Sequence, residues 1–307
     1  MNKAERLESQ RELWNIYCGI LFHLRKWAAG ETIPFTYRFD CPEYGELLAR
    51  YPVEKTAGKG SGFIRALRLC RWLHPRLKHQ DDYDNHVPCN SLALLEYCFG
   101  KEDVGINCLN KAKILAECCL ALGICARRVC AYPLSPYDMD NHVMTEVYDT
   151  SLKKWTLLDP TTGAYFADGA GVPLSALEVR LNMAEREPVS AVLPRQSGKD
   201  FRALFERNLA GGDNAYYAKN MAYFVVDRVN AFGESEDDAV LLAPEGFDVK
   251  EHTLKNIRYR LDVAREMGLG HMIPMFEKWY ENARSAREMP RISEAACSAP
   301  PETGVSS

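Results

Sequence analysis

Between Gly105 and Phe166 the chain changes its hydrophobic period from helical to strand-like, and no other stretch limits the fold so strongly. Cys108, Ala112, Leu115, Cys119 and Leu122 recur at four, three, four and three residues, which is one face of an α-helix. Gly123 follows the last of them, where a left-handed C-terminal cap suits glycine. Gly105 and Asn107 suit the turn into the helix, so Cys108 lies in its first turn. Further on, HVMTEVY puts His142, Met144, Glu146 and Tyr148 on one face of a strand and Val143, Thr145 and Val147 on the other. In WTLLD, Trp155, Leu157 and Asp159 share a face. Pairing around the polar turn Asp149 to Lys154 sets Tyr148 opposite Trp155 and brings His142 near Asp159, as a direct or diagonal cross-strand neighbour.

Those three polar residues fit one chemistry. The first-turn amide groups and the positive end of the helix dipole stabilise negative charge on sulfur, which makes Cys108 a candidate nucleophile. An imidazole steered by a carboxylate is what a thiol nucleophile needs: His142 moves the proton and Asp159 fixes its tautomer and orientation. Each residue alone is ordinary, since a cysteine on an apolar face is commonly core and Asp-Pro is a common turn. Their order on a helix start, a strand start and a strand end points to a triad. Glu146 shares the face of His142 and is the next carboxylate within reach.

The same residues carry a family likeness. The helix-leading Cys108, the run LGICARRV, His142 ahead of EVY, and Trp155 before Leu158-Asp159-Pro160-Thr161 resemble the core of the transglutaminase-like cysteine enzymes, within the papain-like fold group. The likeness covers about 60 residues directly and extends weakly from about Phe63 to about Arg180. It implies an α+β fold in which the helix bearing Cys108 packs on an antiparallel sheet bearing His142 and Asp159, with added N- and C-terminal helices. It also implies the roles of nucleophile, base and orienter for Cys108, His142 and Asp159. Asn107, Trp155 and Asp140 are the neighbouring residues expected to contact substrate. The family often has an aromatic residue soon after the histidine; here Val143-Met144 stands there.

At 307 residues, with 47% apolar and 26% charged side chains, the chain can bury a sizeable core of the soluble globular kind. A net charge of −4 gives no electrostatic case for nucleic acid or an anionic membrane, and no apolar run approaches the ~18 residues of a membrane span. Eleven cysteines without a C-x-x-C pair, behind the polar start MNKAERLESQRE, suggest a reduced, cytoplasmic setting. Peptide N-glycanases share the resembled core but carry paired C-x-x-C zinc ligands, which this chain lacks.

Around this core, an amphipathic helix is expected over residues 4–28, with Leu7, Trp14, Tyr17, Leu21, Leu24 and Trp27 as its stripe. A short strand is expected near Ile33 to Phe39 and a helix near Glu46 to Tyr51. KTAGKGSG misses the phosphate-loop spacing and reads as a connection before a helix from Phe63 to Leu73. The loop holding His79, Asp81, Asp82, Asp84, His86 and Cys89 has metal-ligating side chains but no second ligand pair, so no metal or other cofactor is assigned. PLSPYDMDN delivers His142, with Asp138 and Asp140 flanking the entrance, and Ser175 with Glu178 matches a capping box. Beyond Pro194 a helix is expected near Lys199 to Leu209, strand over Ala215 to Phe232, an acidic break at Glu234 to Asp238, and two further helices. The expected organisation is an N-terminal helical extension (1–60), a catalytic core (61–190), an α/β extension (191–290) and a disordered tail (291–307).

The expected function is cysteine-dependent acyl transfer through a thioester, on an amide, ester or thioester of a peptide, protein or small acyl compound. The acceptor, water or amine, stays open, as does the oligomeric state. The backbone N–H of Cys108 is the natural first oxyanion donor; Tyr97 and Asn90 are possible seconds, and spacing selects neither. The alternative is a non-catalytic peptide- or protein-binding module on the same fold.

Overall fold

In a computed structural model, residues 3–194, 200–234, 239–285 and 288–301 are described. In chain order the helices are α1 (Lys3–His23), α2 (Pro42–Arg50), α3 (Val53–Ala57), α4 (Gly62–Leu73), α5 (Ser91–Gly100), α6 (Cys108–Leu120) and α7 (Ala176–Ala184). After them come α8 (Phe201–Gly211), α9 (Asp213–Lys219), α10 (Val249–Glu266), α11 (Ile273–Ser285) and α12 (Glu294–Ser298). One seven-stranded sheet is built from β1 (Ala126–Ala131), β2 (His142–Asp149), β3 (Lys154–Asp159), β4 (Ala164–Asp168), β5 (Val189–Val192), β6 (Phe224–Asp227) and β7 (Ala239–Leu242). Its spatial order is β7-β6-β1-β2-β3-β4-β5, and every pair is antiparallel.

Helices cover both faces, which is why β2 and β3 are buried almost throughout. Ala126, Val147 and Leu158 face α4, α5 and α6 in one core. Val129, Met144, Leu157, Phe166 and Val226 face α1, α7, α8 and α9 in the other. Buried polar ties fix the layers. Asp149 accepts from Phe63 N at 2.8 Å and so docks the start of α4 on the β2–β3 turn. Glu146 pairs with Arg127 across the strands at 2.6 Å and also accepts from Ala176 N at the start of α7. Ser175 and Glu178 close the reciprocal capping box on α7. A third cluster, Ile257, Leu261, Ala264, Met272 and Phe276, joins α10 to α11.

Several local expectations are corrected. The first helix ends at His23, and Trp27 instead bridges to Pro244. Only Thr36–Tyr37 forms a strand before α2, pairing in parallel with Val229–Asn230. Over Ala215–Lys219 the chain is helical, since Ala215, Tyr217 and Ala218 bury one face of α9 where a strand was expected. Strand begins only at Phe224, and β6 and β7 extend the central sheet itself. The segment from Arg291 to Ser298 is ordered: Ile292 and Cys297 are buried, and the Cys297 carbonyl accepts from the Arg127 guanidinium at 2.7 Å. A few apolar side chains with a core to meet outweigh the polar composition of that segment. Residues 235–238 of the acidic break and 302–307 of the tail lie outside the described residues.

Candidate active site

The site forms where the N-terminus of α6 meets the first residue of β2. Asn107 caps α6, its Oδ1 accepting from Asn110 N at 3.3 Å and Asn110 Nδ2 at 2.9 Å. Asn107 and Asn110 both donate to Asn85 Oδ1, at 3.1 and 2.7 Å. Asn85 adopts positive φ, a conformation that asparagine tolerates better than most residues. The cap therefore ties the cysteine helix to the loop that crosses in front of it. Cys108 is half-buried, with its sulfur 3.9 Å from the Asn141 carbonyl, and its own N–H sits at the first helical position, beyond any intrahelical acceptor.

His142 and Asp159 meet diagonally across β2 and β3, in the register that sets Tyr148 opposite Trp155. His142 Nε2 lies 2.9 Å from Asp159 Oδ2, and the two residues are 3% and 0% exposed. The other ring nitrogen, Nδ1, faces the Tyr216 hydroxyl at 3.4 Å, and Cys108 is close enough to bear on the charge of the ring. Asp159 is fully bonded. Oδ2 also accepts from Tyr217 at 2.8 Å and Thr162 at 3.0 Å, and Oδ1 accepts from Thr161 N at 2.8 Å. The turn that delivers Thr161 and Thr162 closes with Gly163 N donating to the Asp159 carbonyl at 2.8 Å. Gly163 has φ +73°, and a Cβ there would lie 2.8 Å from Pro194, so no larger residue fits.

The electrostatics follow from these bonds. Burial alone would push the His142 imidazolium down, but the Asp159 charge and hydrogen bond, helped by Cys108, hold it above the ordinary histidine range. Burial would raise the Asp159 carboxyl, yet the His142 charge and hydrogen bond, then Tyr217 and Thr161, hold it well below the carboxylate range. Burial, then Asp159, raises the Tyr217 phenol far above its ordinary value, so Tyr217 is a donor to that carboxylate. Lys111, buried one turn beyond Cys108, is lowered by burial to about 8.

The remaining candidates separate. Asn107 and Asp140 line a cavity of about 470 Å³ that opens on Cys108. Trp155 does not line it. That side chain is two pleats along β3 from Asp159, buried beneath the Arg127 guanidinium, with its indole N–H donating to the Ala299 carbonyl at 2.9 Å. Glu146 points to Arg127 and takes no part. Asn90 caps α5 and Tyr97 packs on Tyr83 and His86; neither lines the cavity. His79 and His86 bond to Asp81 and Asp84 in their own loop, and among the described residues no group of three His, Cys, Asp or Glu could hold a metal. Sequence reasoning missed Tyr216, Tyr217 and Thr162 around the histidine and carboxylate, and missed the α10–α11 pair that roofs the cavity. No motif flags them; an adjacent tyrosine pair is the only trace.

Residues 50–160 match the family model described as the transglutaminase-like superfamily. This stretch is similar to a transglutaminase-like core. Members of that superfamily are generally cysteine-based acyl-transfer or protease-like enzymes. The matched core contains Cys108, His142 and Asp159 and ends before Tyr216, Tyr217 and the helical roof. No curated protein and no solved structure matches the chain. Among the described residues no helix is long and apolar enough to cross a membrane.

Proposed function

We propose that this protein is a cysteine-dependent acyl-transfer enzyme in which Cys108 is the nucleophile, His142 the proton carrier and Asp159 its orienter. One observation carries the reading: a single buried imidazole is bonded to a fully coordinated carboxylate through Nε2, and a cavity-lining thiol at a helix N-terminus lies against the carbonyl of the residue before that histidine, Asn141. Nε2–H donating to Asp159 leaves Nδ1 as the position that takes the thiol proton. The sulfur attacks the carbonyl carbon of an amide, ester or thioester, and the electron pair of the C=O bond moves to oxygen. The Cys108 N–H, free of an intrahelical acceptor, would donate to that oxyanion. Collapse expels the leaving group, protonated by His142, and leaves a thioester on Cys108. Water or an amine, deprotonated by His142, then attacks the thioester and regenerates the thiol. The superfamily match supports the reaction class and leaves the acceptor open between hydrolysis and amine transfer.

The test is turnover of 4-nitrophenyl acetate, with and without an added primary amine. Acetylation located on Cys108 by peptide mass spectrometry, and turnover abolished in Cys108→Ala, are the expected results. Undiminished turnover in Cys108→Ala would remove the enzyme reading and leave the peptide-binding module.

A further inference from the structure

The cavity beside Cys108 is roofed by α10 and α11, and its walls differ in character. Ile257, Met272, Met275, Phe276 and Trp279 make one side apolar. Among its described lining residues there is a single guanidinium, Arg260 of α10, which is only 9% exposed. Arg260 Nε donates to Asn256 Oδ1 at 2.8 Å and Nη2 to Asn141 Oδ1 at 2.9 Å. Both acceptors are neutral, and among the described residues Nη1 has no hydrogen bond and no carboxylate lies within ion-pair distance of this side chain. The nearby acids Asp138 and Asp140 are held by Lys219, at 2.8 and 3.1 Å.

The other buried arginines are provided for. Arg127 has Glu146, and Arg128 has Asp227 and Glu234. Arg180 has no carboxylate within ion-pair distance among the described residues either, but it is away from the cavity, donating to the carbonyls of Met221, Leu24 and Ala222 and stacked on Trp27. Among the described arginines, Arg260 alone combines burial, free donors and a cavity in front of it. A guanidinium has five N–H donors, and a charge at such a depth without a directly bonded counter-ion is costly to desolvate. Burial lowers the stability of its charged form, and the more distant Tyr132, Asp140, Cys108 and Asp138 offset that only in part. A carboxylate seated against it would supply the bidentate pairing that arginine favours. Asn141 sets the reach: its side chain holds Arg260 while its backbone carbonyl lies 3.9 Å from the Cys108 sulfur.

We propose that the cavity takes an acyl donor bearing a free carboxylate a few bonds from its reacting carbonyl, with Arg260 as receptor for that carboxylate and the α10–α11 wall covering the chain between. The word donor rests on the enzyme reading above; the anion site does not. The substrate class is thus the half-amide or half-ester of a short dicarboxylic acid, or a peptide end presenting the same pair of groups.

Monomethyl glutarate and dimethyl glutarate differ by one carboxylate and are the probes. In the wild-type chain, monomethyl glutarate is expected to slow alkylation of Cys108 by iodoacetamide at least tenfold more effectively, per unit concentration, than the dimethyl ester. Equal protection by the two, or none, would overturn the proposal, and this arm needs neither turnover nor a variant. With 4-nitrophenyl acetate turnover as readout, Arg260→Gln is expected to raise the inhibition constant of monomethyl glutarate at least tenfold while that of the dimethyl ester stays put, and Arg260→Lys to fall between. If Arg260→Gln weakens both inhibitors equally, Arg260 acts on Asn141 or on the sulfur instead, and the carboxylate site is wrong. Protection without any turnover would retain the anion site and remove the enzyme reading, so the two failures are told apart.

Discussion

Tyr217 Oη and His142 Nε2 meet the same oxygen of Asp159, at 2.8 and 2.9 Å. One lies on α9 and the other on β2, so a helix outside the matched core helps hold the carboxylate that is bonded to the histidine. Tyr217→Phe removes one of three donors to that oxygen without emptying space. It is expected to lower stability by about 1–3 kcal/mol, because a buried charged acceptor loses a partner. Ester turnover is expected to fall several-fold, with the larger part in kcat, since the imidazole is less firmly aimed. Denaturant midpoints and steady-state kinetics on the same preparations check both; an unchanged rate with lowered stability would make Tyr217 a packing residue only.

Asp159→Asn tests orientation without changing volume. The neutral amide still meets Tyr217 and Thr162, so the fold is expected to survive. The lost charge no longer supports the imidazolium, and a rate loss of about 10²–10⁴ is expected. The measurement is single-turnover acylation of Cys108 in folded protein, verified by circular dichroism. A loss below tenfold would remove Asp159 from the mechanism.

The same pair gives stability a pH dependence of definite sign. His142 is raised in the folded state, to about 10, against about 6.5 in the unfolded chain. The folded protein therefore binds the extra proton, and this contribution is complete below about pH 6.5 and lost as pH rises toward about 10. Asp159 is lowered, so its contribution is present above the ordinary carboxylate value and lost as pH falls. Urea midpoints from pH 6 to pH 10 are expected to decline in the wild type more steeply than in Asp159→Asn, in which the histidine has lost its ionic partner. Parallel declines would show that other groups carry the dependence.

Much of the core was legible because its elements obey simple periods. The cysteine helix, the Asn107 turn, the capping box of α7 and the Tyr148–Trp155 register follow from 3.6- and 2-residue repeats and from turn chemistry. Other parts follow from tertiary contacts that no local pattern encodes. Ala215 to Phe232 is rich in aromatic and β-branched residues, a composition that favours strand, yet its first turns are helical because they pack between α1 and the sheet. Trp155 shares a strand face with Asp159, but Arg127 and the Ala299 carbonyl, distant in sequence, occupy it. The roof over Cys108 comes from residues more than 140 positions away in sequence, as Arg260 does (260 minus 108 is 152).

Trp155→Ala is the stability control for the site variants. It deletes a side chain that is 3% exposed, stacked under Arg127 at 4.0 Å and donating to Ala299. A loss of about 3–5 kcal/mol is expected from the removed contacts and the cavity left behind. Cys108→Ala, which removes one half-buried sulfur, is expected to move the thermal midpoint by little. Comparable losses for the two would mean that Cys108 is a structural residue.

Selective alkylation separates a nucleophile from ten bystanders. Burial raises Cys98, Cys125 and Cys297 to about 11 and Cys18, Cys119 and Cys130 to about 12. Burial pushes Cys70, Cys89 and Cys118 up as well. Thiols of that kind react slowly near neutral pH, because the thiolate is the reactive form. Cys108 is half-buried, lines the cavity and is near His142, the proton acceptor proposed above; Cys41 is half-buried, and among the described residues no histidine bond to it is found. At limiting iodoacetamide and pH 7, Cys108 is expected to be modified first and Cys41 second, as read by peptide mass spectrometry. His142→Ala is expected to slow modification of Cys108 at least tenfold and to leave Cys41 unchanged, which makes Cys41 the internal standard for reagent and exposure. If Cys41 outpaces Cys108, or if His142→Ala slows both alike, the imidazole does not activate this sulfur and the acyl-transfer mechanism loses its first step.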